Sequence, residues 1–166
     1  SKLFLKYRNL LNNDFYKNSI VNKFSNFGVK GEQLILEGAS KKRKELLETY
    51  NRVDISLDPF PFSGATTSFE SVWMGVPVLV FGGKNSIFKC GKSVNHNIKM
   101  TDWIAENEED FIYKAVSFSS DYEKLSNLRS NLRYNSTNSP LFDTKNFAKN
   151  FHEALWKMWK IFLNNN

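Results

Sequence analysis

The sequence predicts an α/β fold, a Rossmann-like parallel sheet with helices on both faces, and three observations carry that prediction. Short apolar, β-branched runs alternate with stretches whose apolar residues recur at helical spacing. The connections between them are marked by Gly, Pro and Asn. One run, Val53 to Leu57, passes through a Pro/Gly loop into a helix led by two threonines and then into a second apolar run, Val78-Leu79-Val80-Phe81. Strands separated by helices in this rhythm pair in parallel through right-handed crossovers.

The elements follow in order. Leu3-Phe4-Leu5-Lys6-Tyr7 reads as a strand, and the polar turn Asn12-Asn13-Asp14 leads into a helix carrying Phe15, Ile20, Val21, Phe24 and Phe27. Gly28 and Gly31 end that helix, and Leu34-Ile35-Leu36 forms the next strand. Gly38-Ala39-Ser40 opens a helix with Leu46, Leu47 and Tyr50. Val53, Ile55 and Leu57 make the third strand, which Pro59 and Pro61 stop soon after Asp58.

The loop beyond that strand has the layout of an anion site. Gly64 allows either a close backbone approach or a positive φ, and Thr66 or Thr67 is expected as the helix N-cap. First-turn N–H groups have no intrahelical partner and carry the positive end of the macrodipole, so a phosphate placed there gains several hydrogen bonds at once. Glu70 stands three residues after Thr67. That spacing fits a capping box, and equally a carboxylate that accepts from a ribose diol beside the phosphates. Asp54 reads as structural, whereas Asp58 is placed to organise Ser63 or the threonines.

In a doubly wound sheet the ligand lies beyond the carboxyl ends of the strands. The loop Gly82 to Ser86 should therefore face the same pocket, with Lys89 as a phosphate neighbour. After Met100 the chain becomes helical: an acidic helix start at Glu106, Glu108, Glu109 and Asp110 precedes Phe111, Tyr113, Ala115 and Val116, which are available for packing. Asp121 should cap the next helix, with Leu125, Leu128 and Leu132 at helical spacing. Thr144 should cap the last, whose Phe147, Phe151, Leu155, Met158, Trp159 and Phe162 read as core and lobe-packing surface.

Composition narrows the function classes. The net charge is +6 with 23 Lys+Arg against 17 Asp+Glu. A positive field suits a nucleoside diphosphate, but equally nucleic acid or an anionic membrane. No RNP-like, helix-turn-helix or zinc-finger pattern accompanies the charge, so no specific nucleic-acid partner is expected. The single cysteine, Cys90, excludes an internal disulfide and permits a cytoplasmic setting. The two histidines, His96 and His152, sit in no metal-ligand spacing, and no apolar run is long enough to span a bilayer.

The ordered run Tyr50 to Phe62, then Gly64-Ala65-Thr66-Thr67, Glu70-Ser71, Trp73-Met74-Gly75-Val76-Pro77-Val78 and the later Ser139-Pro140-Leu141-Phe142-Asp143, resembles the C-terminal catalytic lobe of the O-GlcNAc transferase and SPINDLY family. The likeness covers nearly the whole chain. It implies the donor-binding lobe of a GT-B, inverting glycosyltransferase, a class often found in bacteria behind tetratricopeptide repeats. In that family the threonines matching Thr66 and Thr67, with the residue before them at Ala65, contact the diphosphate, and Gly64 completes this stretch. The carboxylate matching Glu70 binds the ribose, and a basic residue matching Arg43 lies by the nucleoside.

Two positions depart from the family pattern: Ala65 replaces a His or Thr, and Leu46 replaces a common His. They remove a phosphate donor and a contact beside the base, which opens a second reading, a non-catalytic interaction or regulatory module that keeps the fold. A nucleic-acid-binding domain is the third.

The resemblance implies a nucleotide-sugar donor, a UDP-sugar foremost, no metal or other cofactor, and a protein or glycan acceptor. Residues 1–166 are expected to form one lobe, helical from about residue 104, that works with an N-terminal lobe outside this chain. The opening at Ser1 inside a strand-like run, with no initiator Met, is expected of a piece of a longer protein.

Overall fold

The computed structural model describes residues 1–58, 60–82 and 89–164. They fall into two compact units, Ser1–Val53 and the chain from Asp54 onward.

The first unit is a βαβ crossover followed by a short helix. Strand β1 (Leu3–Lys6) pairs in parallel with β2 (Leu34–Glu37), Leu3 opposite Leu34 and Lys6 opposite Glu37. Between them runs α1 (Asp14–Ser25), capped by Asn13, whose side chain accepts from the Phe15 N–H at 2.8 Å. Ile20, Val21 and Phe24 are half-buried, while Phe15 and Phe27 are exposed. Phe27 lies beyond the helix end, and Gly28 turns the chain at φ +78°. Glu37, at the end of β2, accepts from Arg52 at 2.7 Å through both oxygens and pairs with Lys6 at 3.5 Å. Helix α2 (Arg43–Glu48) starts later than the Gly38-Ala39-Ser40 signal suggests. The Glu45 carboxylate accepts the Lys41 and Lys42 N–H groups, which places the start at Lys42.

The second unit is built on three parallel strands in the order β3 (Ser56–Leu57), β4 (Val78–Phe81), β5 (Ile104–Ala105). Ser56 pairs with Val78, and Val80 with Ile104. Helix α3 (Thr66–Trp73) connects β3 to β4, and α4 (Lys89–Asn97) connects β4 to β5. Central β4 is apolar at every position because both of its faces are covered, and Val78, Leu79 and Val80 are fully buried. They form one core with Val72, Val94, Ile98, Met100, Trp103, Leu125 and Leu132. The parallel pairing and interleaved helices agree with the expected α/β class. Of the expected second loop, residues 83 to 86 lie outside the described residues, as does the strand-stopping Pro59.

Three helices follow: α5 (Glu108–Ser120), α6 (Tyr122–Thr137) and α7 (Thr144–Asn164). Asp121 caps α6 as expected, accepting from the Lys124 N–H. Two expectations are corrected. Helix α5 packs with Phe111, Ala115 and Phe118 against the core and leaves Tyr113 and Val116 exposed, since the buried stripe follows residues three and four apart. The last helix is capped by Asp143, which accepts from the Asn146 N–H at 3.1 Å, with Thr144 as its first residue. A larger difference concerns α7, which buries no residue: Phe147, Phe151, Leu155, Trp156 and Trp159 are all at least half exposed.

Candidate functional site

The site begins where β3 ends. The Asp58 N–H continues the ladder to Leu79 at 2.9 Å, so its side chain enters the loop from a strand position fixed by the sheet. Asp58 is only 6% exposed. One carboxylate oxygen accepts from the Ser63 hydroxyl at 2.6 Å and the other from the Gly64 N–H at 2.6 Å. Ser63 in turn accepts from the Gly91 N–H of α4 at 3.0 Å. The hydroxyl of buried Ser68 donates to the Gly64 carbonyl at 3.0 Å. Burial pushes the Asp58 carboxyl above its ordinary range, and the bonds from Ser63 and Gly64 pull it partly back.

Helix α3 then starts with Ala65 at the N-cap and Thr66 as its first residue. This corrects the expectation that a threonine caps it. The Ala65 carbonyl already accepts from the Ser68 and Phe69 N–H groups at 3.0 and 3.1 Å, so the helix begins one residue earlier than the threonine signal implies. The same register removes the Thr67–Glu70 capping box, because the third helical residue is Ser68 and Glu70 falls in the second turn.

Gly64 is required by close approach and not by its φ. A Cβ there would stand 2.7 Å from the hydroxyl oxygens of Thr67 and Ser68 and 3.0 Å from Asp58. Gly91 is held to the same standard, since its Cβ would meet Asp58 at 2.5 Å and Ser63 at 3.0 Å. At the far end of α3, Gly75 at φ +76° closes a Schellman turn. The Val76 N–H bonds to Ser71 and the Gly75 N–H to Val72, which directs the chain into β4.

The expected site residues divide as follows. Gly64, Ala65, Thr66, Thr67 and Glu70 occupy one loop and the helix it feeds. Thr66 and Thr67 are exposed in the first turn, and Glu70 is buried at 7% exposure. Lys89 is exposed at the start of α4, two residues before the Gly91 that bonds to Ser63. Arg43 is exposed at the first residue of α2, in the first unit, where Leu46 is half-buried. Sequence reasoning placed Asp58 to organise Ser63 or the threonines, and of these it is Ser63 that donates to it. The parts of Ser68, on the Gly64 carbonyl, and of Gly91, on the Ser63 hydroxyl, were missed. Gly91, a glycine inside an otherwise regular helix, was the available signal.

This arrangement presents two exposed hydroxyls at the positive end of a helix dipole, on a loop held from beneath by a buried carboxylate, and can accept an anion. Among the described residues no group of three or more His, Cys, Asp or Glu gathers into a metal-binding set. Among those residues no helix is long and apolar enough to cross a membrane.

Comparison with known proteins adds four findings. The family model described as glycosyl transferase family 41 matches residues 13–151. The tomato (Solanum lycopersicum) protein named "Probable UDP-N-acetylglucosamine-peptide N-acetylglucosaminyltransferase SPINDLY" is 37% identical over 114 residues, 69% of this chain and 12% of that protein. The Arabidopsis thaliana protein of the same name is 35% identical over 139 residues, 78% of this chain and 15% of its own length. A solved mutant O-GlcNAc transferase from Thermobaculum terrenum superposes with a TM-score of 0.86 at 30% identity, covering 95% of this chain and 30% of that one. The chain thus spans a small part of the length of the relatives it matches.

Proposed function

This chain belongs to glycosyl transferase family 41, and from that premise we propose that it is the nucleotide-sugar-binding C-terminal lobe of an inverting glycosyltransferase. The observation that carries this reading is the start of α3, where Thr66 and Thr67 are exposed in the first helical turn, after Ala65 at the cap and Gly64, whose added Cβ would stand 2.7 Å from the Thr67 and Ser68 hydroxyl oxygens. The donor's diphosphate would lie against those hydroxyls and the helix N-terminus. An acceptor oxygen attacks the anomeric carbon, the bond to the diphosphate breaks with inversion, and the acceptor proton passes to a base or water on the acceptor side. The leaving diphosphate gains negative charge as that bond breaks, and preorganised donors aimed at it stabilise the transition state more than the ground state.

The finer reading is a UDP-sugar donor, with Glu70 on the ribose, Arg43 by the nucleoside and Lys89 near the phosphates. It also holds a protein or glycan acceptor, no metal ion, tetratricopeptide repeats ahead of the catalytic region, and a cytoplasmic location. The names of the relatives, which specify UDP-N-acetylglucosamine and peptide, support the donor and the acceptor. A second reading, a module that keeps the fold without transfer, is favoured by one observation: Ala65 at the N-cap brings no side-chain oxygen to the phosphate position.

Calorimetric titration of the purified protein with UDP and with GDP tests both. Saturable binding of one nucleotide is expected, weakened about tenfold or more in Thr66→Ala and in Thr67→Ala, the loss expected for a hydrogen bond to a charged group. Unchanged affinity in both variants removes the phosphate role of the threonines. Binding of neither nucleotide leaves a site that needs the N-terminal lobe or a module that keeps the fold without a donor, and the same titration of the full-length protein decides between them.

A further inference from the structure

The carboxylate of Asp58 touches two segments that are far apart in sequence. On one side it holds Ser63 and Gly64, the residues that deliver the chain to α3. On the other, the Ser63 hydroxyl that it accepts from is itself the acceptor for the Gly91 N–H, in the N-terminal turn of α4. Gly91 approaches so closely that an added Cβ would stand 2.5 Å from Asp58. The N-terminal turns of two helices therefore meet on one buried side chain.

Both carboxylate oxygens are occupied as acceptors, by a hydroxyl and a backbone N–H, and among the described residues no cationic side chain forms an ion pair with it. Burying the carboxylate carries a desolvation cost, and an apolar side chain would avoid it only by leaving the Ser63 hydroxyl and the Gly64 N–H without their acceptor. What the carboxylate provides and an apolar residue cannot is a direction. It fixes the Gly64 peptide and the Ser63 hydroxyl in one orientation each, and so sets where the backbone entering α3 stands against α4.

We propose that Asp58 is a positioning residue for the donor diphosphate: by clamping Ser63, Gly64 and, through Ser63, Gly91, it sets the N-terminal turns of α3 and α4 in the relative placement that the diphosphate requires. It does so without touching the donor. This proposal rests on the donor-lobe reading above and goes beyond it, since it assigns diphosphate affinity to a residue beneath the site. Ser63 is the coupling element, and an added Cβ at Gly91 would press directly on the Asp58 carboxylate and the Ser63 hydroxyl.

The test separates phosphate affinity from nucleoside affinity. Dissociation constants are measured by calorimetry for UDP and GDP and for uridine and guanosine, on the wild-type protein, Asp58→Asn, Ser63→Ala and Gly91→Ala, with thermal unfolding of each. Asp58→Asn keeps the shape but can accept through only one of the two atoms. Gly91→Ala keeps the carboxylate as a chemical group but displaces it from Ser63. The expected result is a loss of about tenfold or more in diphosphate affinity in each folded variant, with nucleoside affinity unchanged.

Diphosphate affinity equal to wild type in the folded variants overturns the proposal and leaves the donor lobe standing. Diphosphate and nucleoside affinity lost together also overturns it, because that pattern marks a general structural role. If Asp58→Asn fails to fold, Ser63→Ala and Gly91→Ala decide by the same criterion. A wild-type protein that binds neither nucleotide, both as this chain and at full length, ends the donor-lobe reading and this proposal with it.

Discussion

Asp58 and Glu37 are two carboxylates with opposite consequences for pH. Asp58 is raised chiefly by burial, so between the ordinary carboxylate value of 3.8 and its native value the folded state keeps a proton that the unfolded state has released. Its contribution to stability is complete below the ordinary value and is lost as pH rises through the native one. The groups packed on it, Ser63, Gly64 and Gly91, do not titrate in that range. Urea unfolding from about pH 3 to about pH 7 should show wild type losing ground against Asp58→Asn as pH rises. A gap that widens in favour of wild type would reverse the sign. Glu37 is lowered first by its hydrogen bond from Arg52, so its contribution is present above its ordinary value of 4.5 and is lost as pH falls through the native one. The pair is partly exposed, and Arg52→Ala should cost no more than about 1 kcal/mol, measured by the same unfolding at neutral pH.

At the scale of elements, helix ends decide the local geometry. Gly75 holds φ +76° in the turn that closes α3, and a Cβ there would stand 3.0 Å from the Arg129 carbonyl. Gly75→Ala adds left-handed strain to that close contact, and a loss of about 1 kcal/mol or more is expected in chemical denaturation. Asn107 caps α5 by accepting from the Asp110 N–H at 2.9 Å, so Asn107→Ala should cost about 1 kcal/mol. The two changes act at opposite ends of the parallel strands: Gly75 precedes the amino end of β4, and Asn107 follows the carboxyl end of β5.

At the scale of the whole molecule, the second unit depends on one core shared by sheet and helices. Leu132, on α6, is 1% exposed and belongs to the same cluster as Val78, Leu79 and Val80. Leu132→Ala should cost about 2 to 5 kcal/mol by leaving a cavity, read as a shift in the denaturation midpoint without a change in slope. A cost below about 1 kcal/mol would mean that α6 is peripheral. Helix α7 stands in contrast, because its apolar residues are exposed along its full length and truncating one of them removes no core packing.

The strand runs, the parallel class and the loop that feeds Thr66 and Thr67 were legible because they depend on local chemistry. β-Branched runs, Pro/Gly breaks and hydroxyls before an apolar helix each act within a few residues. The caps at Asn13 and Asp121 were in reach for the same reason, although only Asp121 was singled out. What the tertiary structure decided is everything set by partners distant in sequence. Helix α3 starts at Thr66 with Ala65 as its cap, in a loop held by Asp58 and, through Ser63, by Gly91, 28 residues beyond Ser63. Spacing in a single chain reports which groups are available, but not which carbonyl or carboxylate has already taken them. The same limit explains α7: an amphipathic pattern shows that a face is apolar, and only the assembled chain shows that nothing in its own core covers it.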